Sequence, residues 1–375
     1  MKAAHKKYWK LIGCLVILSL FLVMGCTTPP PSNEETITIG ALLPLSGKNA
    51  VYGIEIKNAI LLAQGEINST GGINGKRLEV IFEDDQAEPS IGTSGMQKLV
   101  NIDKVPVVLG SWVSGVVVAS APVAEQDKVI VMAIALSPTI TSAGDYIFRI
   151  QPSATFYTKK SAEFLKEQGL STAAVLLINN EFGLALKDSF VTDFESRGGS
   201  IVGIETYAQG DTDFRSQLTK IKNENPEVVF IPGYQDTIDV IKQMNELGME
   251  STILAGPPFE SQSAIAALGA LAEGVIYAYH FVAGKDNPKA IHYEQAYLQQ
   301  FEVPTGGFAP MMYDAVHIIA NTLRKCEQNT DCIKEALYEI EYDGIVGTIS
   351  FDENGDPIIP IVMKTVRNGK FVAYE

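Results

Sequence analysis

After residue 35 the chain alternates short apolar runs with amphipathic ones, and it does so in two series. In the first, "ITIGALL", "LEVIFEDD", "VPVVLG" and "VIVMAIA" read as strands. Between them lie helix-like stretches: "VYGIEIKNAILLAQGEIN", with Ile56, Ile60, Ala63 and Ile67 at helical spacing, then "SIGTSGMQKLVNID" and "VVVASAPVAEQ". The second series begins after "YIFRIQPSA". "AAVLLI" leads into a helix over 184–195, "SIVGIETY" into 214–222, "EVVFIPG" into 237–247 and "STILAG" into 263–268. Fully apolar strands suit parallel sheets covered on both faces. Two such series predict an α/β protein of two doubly wound, Rossmann-like lobes. Right-handed crossovers put the strand C-terminal ends on one edge of each sheet, the usual place for a ligand. Two such edges facing each other would form a cleft.

The last hundred residues depart from this rhythm. "PKAIHYEQAYLQQF" and "GFAPMMYDAVHIIANTLRKC" read as helices that return to cover the first lobe. "GTISFDENGDPIIPIVMKTVRNGKFVAYE" reads as a hairpin with "ENGD" as its turn.

The N-terminus reads as a targeting segment, residues 1–25. Lys2, Lys6, Lys7 and Lys10 precede the apolar "LIGCLVILSLFLVMG", which is too short for a comfortable membrane span. Its end, "VMGC", resembles a lipobox. Export, cleavage before Cys26 and lipidation of that thiol are expected, followed by a Pro- and Thr-rich tether through residue 36. The alternative is an uncleaved anchor with an incidental cysteine. The net charge is -15, more negative still without those four lysines. An acidic body argues against nucleic acid as a partner. In an oxidising compartment Cys326 and Cys332 are expected to pair as a structural disulfide. Two cysteines with no nearby histidine make a poor metal site.

Catalytic signatures are sparse. "GGINGK" is rich in glycine but follows a helix and leads into a strand, the wrong order for a phosphate cradle. Ser114, in "GSWVSG", has no nucleophile elbow around it, and the histidines beyond the leader are His280, His292 and His317. Ser114 therefore reads as a ligand-binding hydroxyl, a helix N-cap, or both, rather than a nucleophile. Nothing calls for an enzyme, a metal or a cofactor.

"IGALLPLSG", "INSTGGINGKRLEVIFEDDQAEP", "GSWVSG", "SPTIT", "FRIQPSA", "NNEFGLAL", "IPGYQD" and "GFAPMMYDAV" resemble, in order and spacing, the branched-chain amino acid receptors of ABC importers, the type I periplasmic binding proteins. The resemblance covers nearly all of the chain after the tether and is most specific from Asn68 to Asp85. It implies two lobes, 37–150 plus 280–347 and 151–279 plus 348–375, joined by three hinge crossings near Ile150, Tyr279 and Thr348. It also implies a monomer that traps a small ligand between its lobes for a membrane permease.

A site for a zwitterion needs donors for the carboxylate, an acceptor for the ammonium and an apolar wall. By resemblance Ser114 binds the carboxylate, with Trp112 and Val113 on the same wall. Tyr52 stands at the cleft mouth, Tyr234 closes from the second lobe, and Phe308 is a further wall residue. Three positions depart from the family pattern. "ALSP" (Ala135, Leu136, Ser137) replaces a threonine-bearing stretch, Phe182 stands where tyrosine is common, and Pro257 or Pro258 stands where many members carry an acid. Glu260 is then the nearest candidate for the ammonium, beside Phe259. The first expectation is a branched-chain or related amino acid as ligand. The alternatives are an amide, an aromatic acid or another small carboxylate, or a sensing role toward a membrane partner.

Overall fold

The computed structural model describes residues 35–280 and 287–374. The expected targeting segment, Cys26 and the tether up to residue 34 lie outside them. The first series forms one sheet. β1 (Thr36–Leu43) leads into α1 (Ala50–Ser69), β2 (Arg77–Asp84) into α2 (Pro89–Asn101), and β3 (Val107–Gly110) into α3 (Ser114–Gln126). β4 (Ile130–Ala133) and β5 (Ile147–Arg149) follow. The order is β2-β1-β3-β4-β5, parallel throughout. β3 and β4 are buried along their whole length, which is why both read as unbroken apolar runs.

The second series opens with a helix that its polar sequence conceals, α4 (Ala154–Glu167), whose buried face includes Tyr157, Ser161, Phe164 and Leu165. Then come β6 (Thr172–Ile178), α5 (Glu181–Ser196), β7 (Ser200–Tyr207), α6 (Arg215–Asn223), β8 (Val228–Ile231), α7 (Thr237–Glu246), β9 (Thr252–Ala255), α8 (Gln262–Leu268) and β10 (Ile276–His280). These five strands are parallel in the order β10-β9-β8-β6-β7.

The chain then returns to the first sheet's side. α9 (Pro288–Phe301) and α10 (Ala309–Cys326) pack against α1. α10 is buried on most of its surface, Met311, Met312, Ile318 and Ile319 included, which suits a helix enclosed by neighbours. α11 (Thr330–Tyr338) is tied to it by the Cys326–Cys332 disulfide, with Cα atoms 5.5 Å apart. β11 (Tyr342–Gly344) and β12 (Gly347–Ile349) form a short antiparallel pair. Finally β13 (Ile361–Arg367) extends the second sheet antiparallel to β10, and β14 (Lys370–Ala373) pairs antiparallel to β13.

Two expectations about this last segment are corrected. The hairpin turn is not "ENGD" but Asn368-Gly369, with φ of 52° and 66°, the left-handed pair a two-residue hairpin loop requires. "ENGD" instead closes a local turn, with the Gly355 amide on the Asp352 carbonyl at 3.0 Å and a bridge between Phe351 and Pro357. The Gly355 carbonyl accepts from the Arg149 amide at 3.1 Å, so this loop is pinned beside β5. The last passage to the second sheet therefore runs later than Thr348, between β12 and β13.

Candidate ligand-binding site

Each sheet has one point where its strand order reverses. In the first it lies between β1 and β3, and in the second between β6 and β8. Beyond the strand ends at such points the following loops diverge and leave a crevice. Tyr52 follows β1 and Trp112 follows β3. Phe182 follows β6 and Tyr234 follows β8. The turns are tight. Gly110 has φ +99°, and a Cβ there would lie 2.2 Å from the Leu42 carbonyl oxygen. A Cβ on Gly183 would lie 1.9 Å from the Ile178 carbonyl oxygen. Glycine at Gly110 lets the end of β3 press against the neighbouring strand β1, and glycine at Gly183 lets α5 start back against the end of β6.

The rings from the two sheets meet. Tyr52 stacks on Trp112 with centroids 4.1 Å apart, Trp112 lies 5.0 Å from Tyr234, and Tyr234 stacks on Phe182 at 4.5 Å. Phe308, at the start of α10, meets Trp112 edge-on at 5.6 Å. All five side chains are buried. Polar contacts also cross between the sheets' loops. Tyr52 Oη donates to the Pro258 carbonyl at 3.2 Å and accepts from Gln235 Nε2 at 3.0 Å, and Lys48 Nζ donates to the Gly210 carbonyl at 3.1 Å. Burial pushes the Tyr52 and Tyr234 hydroxyls far above the usual phenol range, so both are neutral donors. Tyr234 Oη is buried without a hydrogen-bond partner among the described residues.

The polar end of the site is built around Ser114. The N-cap of α3 is Val113, with no side-chain cap, so of the two roles weighed for Ser114 that of N-cap falls away. Its Oγ accepts instead from the amides of Leu136 (3.3 Å) and Ser137 (3.2 Å), which follow Ala135 in the loop after β4. The hydroxyl that does bond near the cap is that of Ser111. It accepts from the Val113 amide at 3.1 Å and donates to Asp85 Oδ2 at 2.5 Å. Burial raises the Asp85 pKa to about 6, against the opposing pull of that hydroxyl.

Arg149, fully buried, holds the Leu136–Ser137 loop from behind. Its Nη1 donates to the Ser137 carbonyl at 2.7 Å and the Leu136 carbonyl at 3.3 Å. Its Nε and Nη2 form a two-pronged ion pair with Asp356, at 2.5 and 2.9 Å. One guanidinium thus ties the ligand-side loop to the pinned turn before β13, a geometry that lysine could not reproduce.

Phe259 and Glu260 lie elsewhere. Phe259 packs on Tyr277 and Phe371 rather than on the five clustered rings. Glu260 is occupied at both oxygens, by Lys364 Nζ at 2.6 Å and by Tyr277 Oη at 2.8 Å. It lines a cavity of about 220 Å³ with Gly306, Gly307 and Lys364, and none of the five clustered rings lines that cavity. The acid at the site is a different one, missed in sequence. Glu181, in the first turn of α5, accepts from Ser137 Oγ at 2.6 Å and from Thr139 Oγ1 at 3.3 Å. Its position immediately before Phe182 was the available signal. Its partners lie more than forty residues away and follow the other sheet.

The family model for periplasmic binding proteins matches residues 36–370, which is the two-sheet body up to the start of β14. The chain belongs to the periplasmic binding protein family. This binding protein is 28% identical over 346 residues to the leucine-, isoleucine-, valine-, threonine- and alanine-binding protein of Pseudomonas aeruginosa, covering 91% of this chain and 90% of that one. It is similar in structure to LivJ of Streptococcus pneumoniae, a branched-chain amino acid transporter substrate-binding protein solved with isoleucine. The TM-score is 0.83 at 28% identity, over 90% of this chain and 98% of that one. A Rhodopseudomonas palustris solute-binding protein of an ABC transporter, solved with 3,4-dihydroxybenzoic acid, has a TM-score of 0.82 at 26% identity, over 90% and 95% of the two chains. Among the described residues, no helix of this binding protein is long and apolar enough to cross a membrane.

Proposed function

We propose that this binding protein is the capture component of an ABC importer and holds a hydrophobic α-amino acid, a branched-chain one first, between its two sheets. The observation that carries the reading is the meeting of both switch points in one site. Ser114 and the Leu136–Ser137 amides sit beside rings supplied by both sheets. With its oxygen accepting from both amides, the Ser114 hydroxyl has its O–H left to donate to a carboxylate, and the buried rings suit an aliphatic side chain. A ligand would enter by parting Trp112 from Tyr234 and would favour the closed state through contacts made to both sheets at once.

The aromatic wall and the engagement of Glu260 by Lys364 favour a second reading, an amine-free aromatic carboxylate. The relative solved with 3,4-dihydroxybenzoic acid supports it. Thermal-shift titration of the protein with leucine, isoleucine, valine and benzoate-type acids separates the two, because a ligand bound only to the folded state raises Tm by mass action. A shift with the aromatic acids alone would replace the first reading by the second.

The receptor works outside the cytoplasm, as its family does. We place it at the membrane surface through a lipid on Cys26, as a monomer with an ABC permease as partner. Cys26→Ser should release it from the membrane fraction, and retention there would count against the lipid.

A further inference from the structure

We propose that Glu181 is the ammonium partner of the bound ligand, so that the site requires an amine next to the carboxylate. The inference rests on the interlobe reading above and deepens it. Glu181 belongs to the second sheet's side, yet its Oε1 accepts from the hydroxyls of Ser137 and Thr139, which follow β4 of the first sheet. Ser137 also gives its amide to Ser114 Oγ, so a single residue separates Ser114 from the Glu181 carboxylate. A Cβ on Gly115, at the start of α3, would lie 3.8 Å from the Glu181 Cβ, which sets the acid against that helix end.

The charge at this point is unbalanced. Among the described residues no lysine, arginine or histidine pairs with Glu181, whose carboxylate accepts from two neutral hydroxyls. The nearby guanidinium of Arg149 is consumed by Asp356. The other acids around the site have partners or face away. Glu260 pairs with Lys364, Asp236 takes the Tyr207 hydroxyl, Asp85 takes Ser111, and Glu55 abuts Gly306. A ligand carboxylate seated on the Ser114 hydroxyl would therefore stand one residue from an uncompensated negative charge. At about 5 Å and an effective dielectric near 20, that repulsion weakens binding on the order of a hundredfold. An α-amino acid removes the conflict, because its ammonium is two bonds from its carboxylate carbon and falls between the two acids. Glu181 then bonds the ammonium directly, and Ser137 Oγ turns to accept from it. An aromatic acid without an amine has nothing to offer at this position.

The test compares matched probes on the purified protein by calorimetry: L-leucine against 4-methylpentanoate, and L-phenylalanine against 3-phenylpropanoate, each pair differing only by the amine. The wild type should bind the amino acid of each pair at least about tenfold more tightly. Glu181→Gln keeps the side-chain shape and should erase most of that preference, weakening the amino acids by roughly ten- to hundredfold while strengthening the amine-free acids. Glu181→Asp, which restores the charge, should recover part of it, and Glu260→Gln should leave the preference unchanged. A wild type that prefers the amine-free acids overturns the assignment of Glu181 while leaving the receptor reading intact. So does a Glu181→Gln variant that folds with an unchanged Tm and keeps the wild-type preference. A wild type that binds neither class overturns both.

Discussion

At the first sheet's switch point the functional groups are locked in place by buried hydrogen bonds. Ser114 holds two amides, Ser111 holds the Asp85 carboxylate, and Arg149 holds the loop from behind. At the second sheet's switch point the groups are ring faces, Phe182 and Tyr234, together with an acid paired only with hydroxyls of the opposite loop. On the receptor reading proposed above, the first end is organised before a ligand arrives and the second is the side that closes over it. Preorganised donors limit the ordering that accompanies binding, and mobile apolar cover lets closure expel water from the polar contacts.

The largest effect that would break this contrast is at Arg149. Arg149→Met should cost about 3–5 kcal/mol of stability, because Asp356 is left as a largely buried charge with no counterpart. Urea denaturation measures it, and a loss below about 1 kcal/mol would mean that the loop holds itself. At the second end, Phe182→Ala removes a buried ring from the cover. It should weaken binding by about 1.5–3 kcal/mol, roughly ten- to hundredfold in Kd, by calorimetry. A comparable loss of ligand-free stability with no loss of affinity would make the ring a core residue rather than a cover.

Ser114→Ala sharpens the comparison differently. It leaves two buried amides without their acceptor and should lower the stability of the ligand-free protein by about 1–3 kcal/mol. A ligand carboxylate can accept from the same amides, so saturating leucine should recover more of the Tm in this variant than in the wild type. Equal Tm gains would separate the amides from the ligand.

The smallest effect concerns Glu55, one turn beyond Tyr52 on α1. Burial raises its pKa from 4.5 to about 7. The folded state therefore binds a proton that the unfolded chain has released, and stability from this group falls as pH rises from 4.5 through 7. Glu55→Gln should remove that slope, so that the variant gains stability relative to the wild type as pH rises from 4.5 through 7. Parallel pH profiles for variant and wild type would contradict it.

Much of the fold was legible because its causes are local. β3, β4, β8 and β9 are short apolar runs that only doubly covered parallel strands need. α10 announces itself by an apolar surface too wide for an exposed helix. The clustered aromatics were singled out through the family resemblance, and four of the five, Tyr52, Trp112, Phe182 and Tyr234, follow strands that flank the two switch points. What failed was pairing. "ENGD" and "RNGK" are both turn-forming on local grounds, and only the register of β13 with β14 selects the second as the hairpin loop. Ser114 looked like a cap, and it is the Leu136–Ser137 loop, folded back from the end of β4, that claims its hydroxyl.

The two glutamates mark the boundary most clearly. The sequence by itself determined two α/β sheets built on parallel strands and the residue types available at their C-terminal edges. It could not determine which acid is free. Glu260 is neutralised by Lys364, 104 residues further along, and Glu181 is brought against Ser137 by the meeting of two sheets. Strand and helix preferences are set by neighbours in the chain. The charge balance of a site is set by distances in space, and the tertiary structure alone fixes those.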